Sequence, residues 1–137
     1  MPYVLLLEDV DSDAHEVESA LKQIGGYEVQ RFIAASRAIE TLSDALSSGS
    51  DLPDLIIVDL NLPGSSGYEL LRFYHATPKL RSVPCAVWTV LSTHIDKKLT
   101  TWMGSKKFIS KHSGPATLRK FLASLLQTGA GSRQNSA

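Results

Sequence analysis

At 137 residues the chain fits one domain, long enough to bury roughly two-thirds of its unfolded surface. Its composition is that of an ordinary globular domain, and the lone Cys85 excludes a disulfide framework. Fourteen acidic and fourteen basic residues cancel, but unevenly: residues 1–69 hold 13 of the acids and 3 of the bases, while residues 97–137 hold no acid and 8 bases. That imbalance implies an oriented field. The basic block lacks the aromatic interleaving of a nucleic-acid binder. No apolar run of about 18 residues exists to insert in a membrane. The N-terminus lacks the charged region and cleavage site of a secretory signal. A reducing, cytoplasmic setting is the expectation, with Cys85 a small buried hydrophobe.

Residues 3–7 form an apolar run that predicts a buried strand, and it ends in two acids, Glu8 and Asp9. Asp13, with Glu16 three residues on, has the spacing of a capping box and predicts a helix start. Ala14, Val17, Leu21 and Ile24 mark the apolar face of that helix, and Gly25-Gly26 stops it. Residues 27–33 predict a second strand, and Glu28, Gln30 and Arg31 make it polar enough for a sheet edge. Ser36 is placed to cap a helix carrying Ile39, Leu42 and Leu46. Residues 47–53 have loop composition. Leu55-Ile56-Ile57-Val58 then predicts a strand buried on both faces, running straight into Asp59 and followed by a Pro63-Gly64 turn.

Past Gly67 a helix carries Tyr68, Leu71 and Tyr74 and ends before Pro78. Residues 84–89 predict a fourth strand ending in the hydroxyl of Thr89, with Ser92 shortly after. Thr93 with Asp96 opens the next helix and Gly104 closes it. Residues 107–110 predict a short fifth strand ending at Lys111. Gly114-Pro115 puts proline at a first helical position, and Leu118, Phe121, Leu122, Leu125 and Leu126 form the stripe of the last helix. Trp88 and Trp102 fit packing in a core or an interface. Residues 128–137 are small and polar, and predict a disordered tail after a domain spanning 1–127.

Five strands alternating with five helices predict an α/β fold with a parallel sheet covered on both faces. In such a sheet the carboxyl ends of all strands share one edge, where ligands bind. Glu8, Asp9, Asp59, Thr89 and Lys111 would then converge. Clustered carboxylates repel one another and call for a cation or for raised pKa values. Hard oxygen donors suit Mg²⁺, which takes one or two carboxylates together with phosphate oxygens. A carboxylate can also attack phosphorus to give an aspartyl phosphate. Phosphoryl transfer needs positioning and charge neutralisation above all, and Lys111 and Thr89 are the groups to supply them.

On Leu7-Glu8-Asp9, Asp59-Leu60-Asn61-Leu62-Pro63-Gly64 with Gly67, Thr89, and Lys111 after Phe108, the chain resembles a receiver domain of the two-component response regulators across about residues 3–127. The resemblance implies a flavodoxin-like, doubly wound five-stranded sheet. It implies Asp59 as phosphoacceptor, and Asp9, Asp59 and the backbone carbonyl of Asn61 as Mg²⁺ ligands, with Glu8 acting through water. Lys111 would pair with the phosphoryl group, Thr89 would bond it, and the Phe108 ring would change rotamer in step. It implies a sensor histidine kinase as donor. The output would pass through the fourth helix, fifth strand and fifth helix to a downstream protein, a phosphotransfer partner or a second copy in a homodimer. The wording around Asp59, and Leu80-Arg81-Ser82-Val83-Pro84, is similar to stand-alone receivers paired with bacterial phytochrome kinases. Such a domain is no turnover enzyme beyond its own phosphorylation and dephosphorylation.

Two positions depart from that pattern. Val90 stands where a small residue is usual, and its bulk could narrow access to a phosphorylated Asp59. His112 stands where proline is usual after the lysine. A cis bond without proline costs about 2.5–4 kcal/mol, so a trans Lys111-His112 bond and a rearranged loop are expected. These two departures motivate a competing reading, a phosphorylation-independent adaptor with the receiver fold. A Mg²⁺ phosphatase is disfavoured, because Asn61 occupies the place where such enzymes usually carry a second acid. His15, His75 and His94 show no metal-ligand spacing.

Overall fold

A computed structural model describes residues 2–62, 65–90 and 93–136, with side chains placed for all of these except residue 65 and residues 127–136. The Pro63-Gly64 turn and Ser92 lie outside the described residues. Five parallel strands, β1 (Tyr3–Leu7), β2 (Glu28–Phe32), β3 (Leu55–Val58), β4 (Cys85–Thr89) and β5 (Lys107–Ser110), form one sheet in the order β2-β1-β3-β4-β5. Five helices alternate with them: α1 (Asp11–Ile24), α2 (Ala35–Ser48), α3 (Gly67–Ala76), α4 (His94–Trp102) and α5 (Pro115–Ser136). The alternation of elements predicts this α/β architecture, and its strand order is the flavodoxin-like one that the resemblance implies.

The strands read as uninterrupted apolar runs because helices cover both faces of the sheet. Side chains alternate between those faces. Val4, Leu6, Leu55, Ile57, Ala86, Trp88 and Ile109 pack on one side with α1 and α5. Leu5, Leu7, Ile56, Val58, Cys85 and Val87 pack on the other with α2, α3 and Met103 at the end of α4. All four β3 residues are at most 1% exposed, as befits the central strand. β2 lies at the edge, as its polar residues require. The order reverses between β1 and β3, so the crevice of this sheet opens between their carboxyl ends.

Two expected caps are not formed. α1 begins at Asp11 after Val10, with no side-chain cap, and Asp13 lies inside its first turn. The Asp13 carboxylate instead bonds Lys111 across the fold, a stronger partner than a backbone amide. α2 begins at Ala35 after Ala34, which places Ser36 within the helix. Ala35 and Ala38 are fully buried against the sheet, so packing sets that start. By contrast, Thr93 and Asp96 form the predicted capping box of α4. Tyr68 of α3 donates a further hydrogen bond to Asp96 and ties the two helices together. α5 starts at Pro115 as predicted, and its backbone continues in helix to Ser136, where a tail was expected from residue 128. Extending a formed helix costs little compared with nucleating one.

Trp88 is core, but Trp102 is 67% exposed and its ring lies 4.5 Å from that of His75. Among the described residues no helix is long and apolar enough to cross a membrane.

Candidate functional site

The alternation of side chains assigns each polar residue beyond a strand to a side of the sheet. Glu8 continues the row of Val4 and Leu6, and Asp59 that of Leu55 and Ile57. Lys111 continues the row of Lys107 and Ile109. All three therefore belong to the side of α1 and α5. Backbone bonds from Glu8 N–H to the Phe32 carbonyl (2.9 Å) and from Asp59 N–H to the Leu7 carbonyl (3.0 Å) fix the ends of β1 and β3. The Lys111 ammonium reaches Glu8 Oε1 at 2.7 Å, Asp59 Oδ2 at 3.1 Å and Asp13 Oδ2 at 2.7 Å. Its nitrogen sits 4.9 Å from the centroid of the Trp88 ring, which belongs to the same side of the sheet.

Thr89 continues the opposite row, that of Cys85 and Val87. Its hydroxyl is buried, donates to Asp59 Oδ1 at 3.0 Å and accepts from Asn61 Nδ2 at 3.1 Å. The Asn61 N–H donates to the same Oδ1 at 3.1 Å. Asp59 thus divides its oxygens, Oδ1 to Thr89 and the Asn61 amide, Oδ2 to Lys111. A carboxylate bonded this way is held in one orientation.

The electrostatics are tight. Glu8 has no exposed surface, and Asp59 is 3% exposed. Burial pushes the Glu8 carboxyl up to about 7; the nearby Asp59 charge adds to the rise, and Lys111 opposes it. Burial alone would lower the Lys111 pKa, but the close carboxylates of Asp13, Glu8 and Asp59 outweigh it and hold the ammonium charged well above its usual range. The site therefore keeps one fixed cation among several acids.

Oxygens of Glu8, Asp9 and Asp59 lie within 4.8 Å of one another, close enough to share one cation. Asp9 Oδ1 is buried and has no hydrogen-bond partner among the described residues, which leaves it open to a cation. Such an oxygen-only set fits Mg²⁺. Asn61 is exposed, at the mouth of the site. Gly67 closes its floor: a Cβ there would lie 2.2 Å from the Asp59 carbonyl oxygen and 2.8 Å from Val58 Cγ1, so only glycine lets α3 start against β3.

The remaining predicted residues lie around this centre. Phe108 is half-buried on the side of α2 and α3, with the Lys97 ammonium 5.9 Å from its ring centroid. Val90 is 43% exposed next to Thr89. His112 is exposed and lies in a single 3₁₀ turn, Lys111–Ser113. In that turn the Ser110 hydroxyl accepts from the His112 N–H at 3.1 Å, and the Ser113 hydroxyl donates to the Ser110 carbonyl at 2.6 Å. The Lys111-His112 bond is trans, as expected. Asp13 and Trp88 escaped the sequence reading as members of the site. Asp13 looked like a cap, and Trp88 like core, which it also is. A cavity of about 540 Å³ lies at the opposite edge of the sheet, among Tyr3, Glu28, Asp44 and Asp51, and shares none of these residues.

Comparison with known proteins agrees with this geometry. The family model described as "Response regulator receiver domain" matches residues 4–123. Response regulator PleD of Caulobacter vibrioides is 23% identical over 108 residues, which cover 79% of this chain and 22% of PleD. The chain thus matches only about a fifth of that relative's length. Two-component response regulator ARR16 of Arabidopsis thaliana is 31% identical over 134 residues, covering 90% of this chain and 80% of ARR16. Among solved structures, the Mn²⁺-bound form of response regulator Rcp1 superposes with a TM-score of 0.76 at 25% identity, covering 91% of each chain. The phosphorylated cyanobacterial phytochrome response regulator RcpA gives 0.78 at 22% identity, covering 96% of this chain and 95% of its own. Sheet order, acidic pocket and family match lead to one conclusion: this chain belongs to the receiver domains of the two-component response regulators.

Proposed function

We propose that Asp59 accepts a phosphoryl group from a phosphohistidine of a sensor kinase. A carboxylate oxygen attacks phosphorus, and the phosphorus–nitrogen bond to the donor imidazole breaks. The observation that carries this reading is the division of the Asp59 oxygens between Thr89 and Lys111, with Glu8 and Asp9 at cation-sharing distance. Asp9, Asp59 and the Asn61 carbonyl would hold Mg²⁺, with Glu8 acting through water. Bound there, the ion supplies positive charge against the phosphoryl oxygens. Lys111 supplies a second positive charge, and Thr89 a hydroxyl that transfers its hydrogen bond from Asp59 to a phosphoryl oxygen. Phe108, half-buried on the side of α2 and α3, would change rotamer in step.

The output surface in this reading is α4, β5 and α5. Lys107 lies 5.4 Å from the Phe121 ring centroid there, and Ile95 and Trp102 of α4 are 76% and 67% exposed. A downstream protein, a phosphotransfer partner or a second copy of the chain would bind it. Pairing with a bacterial phytochrome kinase rests on the sequence around Asp59 and on Leu80-Arg81-Ser82-Val83-Pro84. Incubation with acetyl phosphate and Mg²⁺ tests the proposal: an acid-labile mass gain is expected on the wild type and not on Asp59→Asn. No gain, or full labelling of Asp59→Asn, refutes it. The exposed Val90 beside Thr89 favours one other reading, an adaptor whose binding ignores Asp59. Unchanged partner affinity in Asp59→Asn would select it.

A further inference from the structure

We propose that Asp13 is a positioning residue for Lys111, an anchor that keeps the ammonium beside the phosphoacceptor while leaving Glu8, Asp9 and Asp59 free for a divalent cation. The inference rests on the proposed cation site. Asp13 Oδ2 lies 2.7 Å from the Lys111 nitrogen, as close as Glu8 and closer than Asp59 at 3.1 Å. The Asp13 and Asp59 contacts are aligned hydrogen bonds, whereas Glu8 Oε1 makes an ion pair without one. Asp13 is outside the set of oxygens that can share a cation. It also comes from another element, the first turn of α1, 98 residues from Lys111 along the chain.

Charge decides the consequence. One ammonium faces Glu8, Asp13 and Asp59. A divalent cation arriving on Glu8, Asp9 and Asp59 repels that ammonium and competes for the same oxygens. Of the three lysine partners, only Asp13 is left undisputed. Asp13 therefore receives Lys111 when the cation binds and holds it within reach of a phosphoryl oxygen on Asp59. Its side chain is 26% exposed, against 4% for Asp59, so this anchor stands at the rim and can move with the lysine. The turn after β5 needs such an anchor, because the exposed His112 lacks the pyrrolidine ring with which a proline would fix the backbone after Lys111.

A double-mutant cycle on the Mg²⁺ dissociation constant tests this, read from Trp88 fluorescence in a Trp102→Phe background. Asp13→Asn is expected to weaken Mg²⁺ binding by about tenfold, because Lys111 then competes for Glu8 and Asp59. In a Lys111→Gln background the same substitution is expected to change the constant by less than about twofold, and Asp13→Glu is expected to restore wild-type binding. Equal weakening in both backgrounds would mean that Asp13 acts only through its charge, and would overturn the proposal; so would no weakening in either. Should Lys111→Gln fail to fold, acetic anhydride labelling of Lys111 gives a second reading. Mg²⁺ is expected to raise its reactivity several-fold in Asp13→Asn and not in the wild type. The same Mg²⁺ response in both proteins overturns the inference alone. A wild type that binds no Mg²⁺ overturns the cation site and the inference with it.

Discussion

Glu8 should make the metal-free protein less stable as pH rises from 4.5 to about 7, and Glu8→Gln should abolish that trend. The carboxyl has no exposed surface and titrates at about 7 in the folded chain, against 4.5 when unfolded. Below pH 4.5 both states hold the proton, and Glu8 contributes no slope. Between 4.5 and about 7 the unfolded chain releases a proton that the folded chain keeps, so each step up in pH favours unfolding. Above about 7 the loss is complete and constant. At about 1.4 kcal/mol per pH unit the interval comes to about 3 kcal/mol. Urea unfolding in EDTA at about pH 5 and about pH 8 reads this directly as a difference in midpoint. The wild type should lose about 3 kcal/mol between the two relative to Glu8→Gln. Mg²⁺ at about a hundred times its dissociation constant should return about 2.7 kcal/mol at the higher pH. Parallel stability curves for wild type and Glu8→Gln would refute the reasoning, since the burial of Glu8 would then carry no electrostatic cost.

Gly67→Ala should cost about 2 kcal/mol, as overpacked sites do, and lower Tm by about 6 °C, because its Cβ meets the Asp59 carbonyl oxygen. It should also slow labelling of Asp59 by acetyl phosphate, and a wild-type Tm by calorimetry would contradict the close approach. Cys85 is fully buried and its thiol is pushed up to about 12, so a thiol reagent at pH 8 should label it only at the rate of unfolding. Rapid labelling of the native chain would show that β4 is not the interior strand described here.

The strands were legible because burial on both faces leaves a continuous apolar run, and Asp59, Glu8 and Thr89 were legible because each ends such a run. Helix starts were less so. Asp13 and Ser36 both have cap chemistry, yet Asp13 serves an ion pair 98 residues away and Ser36 yields to the burial of Ala35 and Ala38. Cap spacing is a local signal, and a long-range partner overrides it without any trace in the neighbouring residues. Trp88 was invisible as a floor for Lys111 for the same reason: the contact comes from parity along two different strands. That parity was in fact available. Counting by twos from Val4, Leu55, Ala86 and Lys107 places Glu8, Asp59, Trp88 and Lys111 on one side once strand ends are known to align.

The sheet is a partition, and Asp59 is the place where its two compartments meet. One oxygen faces Lys111, Trp88, α1 and α5, and the other faces Thr89 and Asn61. Loading one oxygen with a bulky anion would break the mirror between the compartments: one layer would keep its bond and the other would lose it. The layer that loses it need not be the layer that carries a partner, so substitutions at Thr89 and at Lys111 can be used to address the two compartments independently from a single carboxylate.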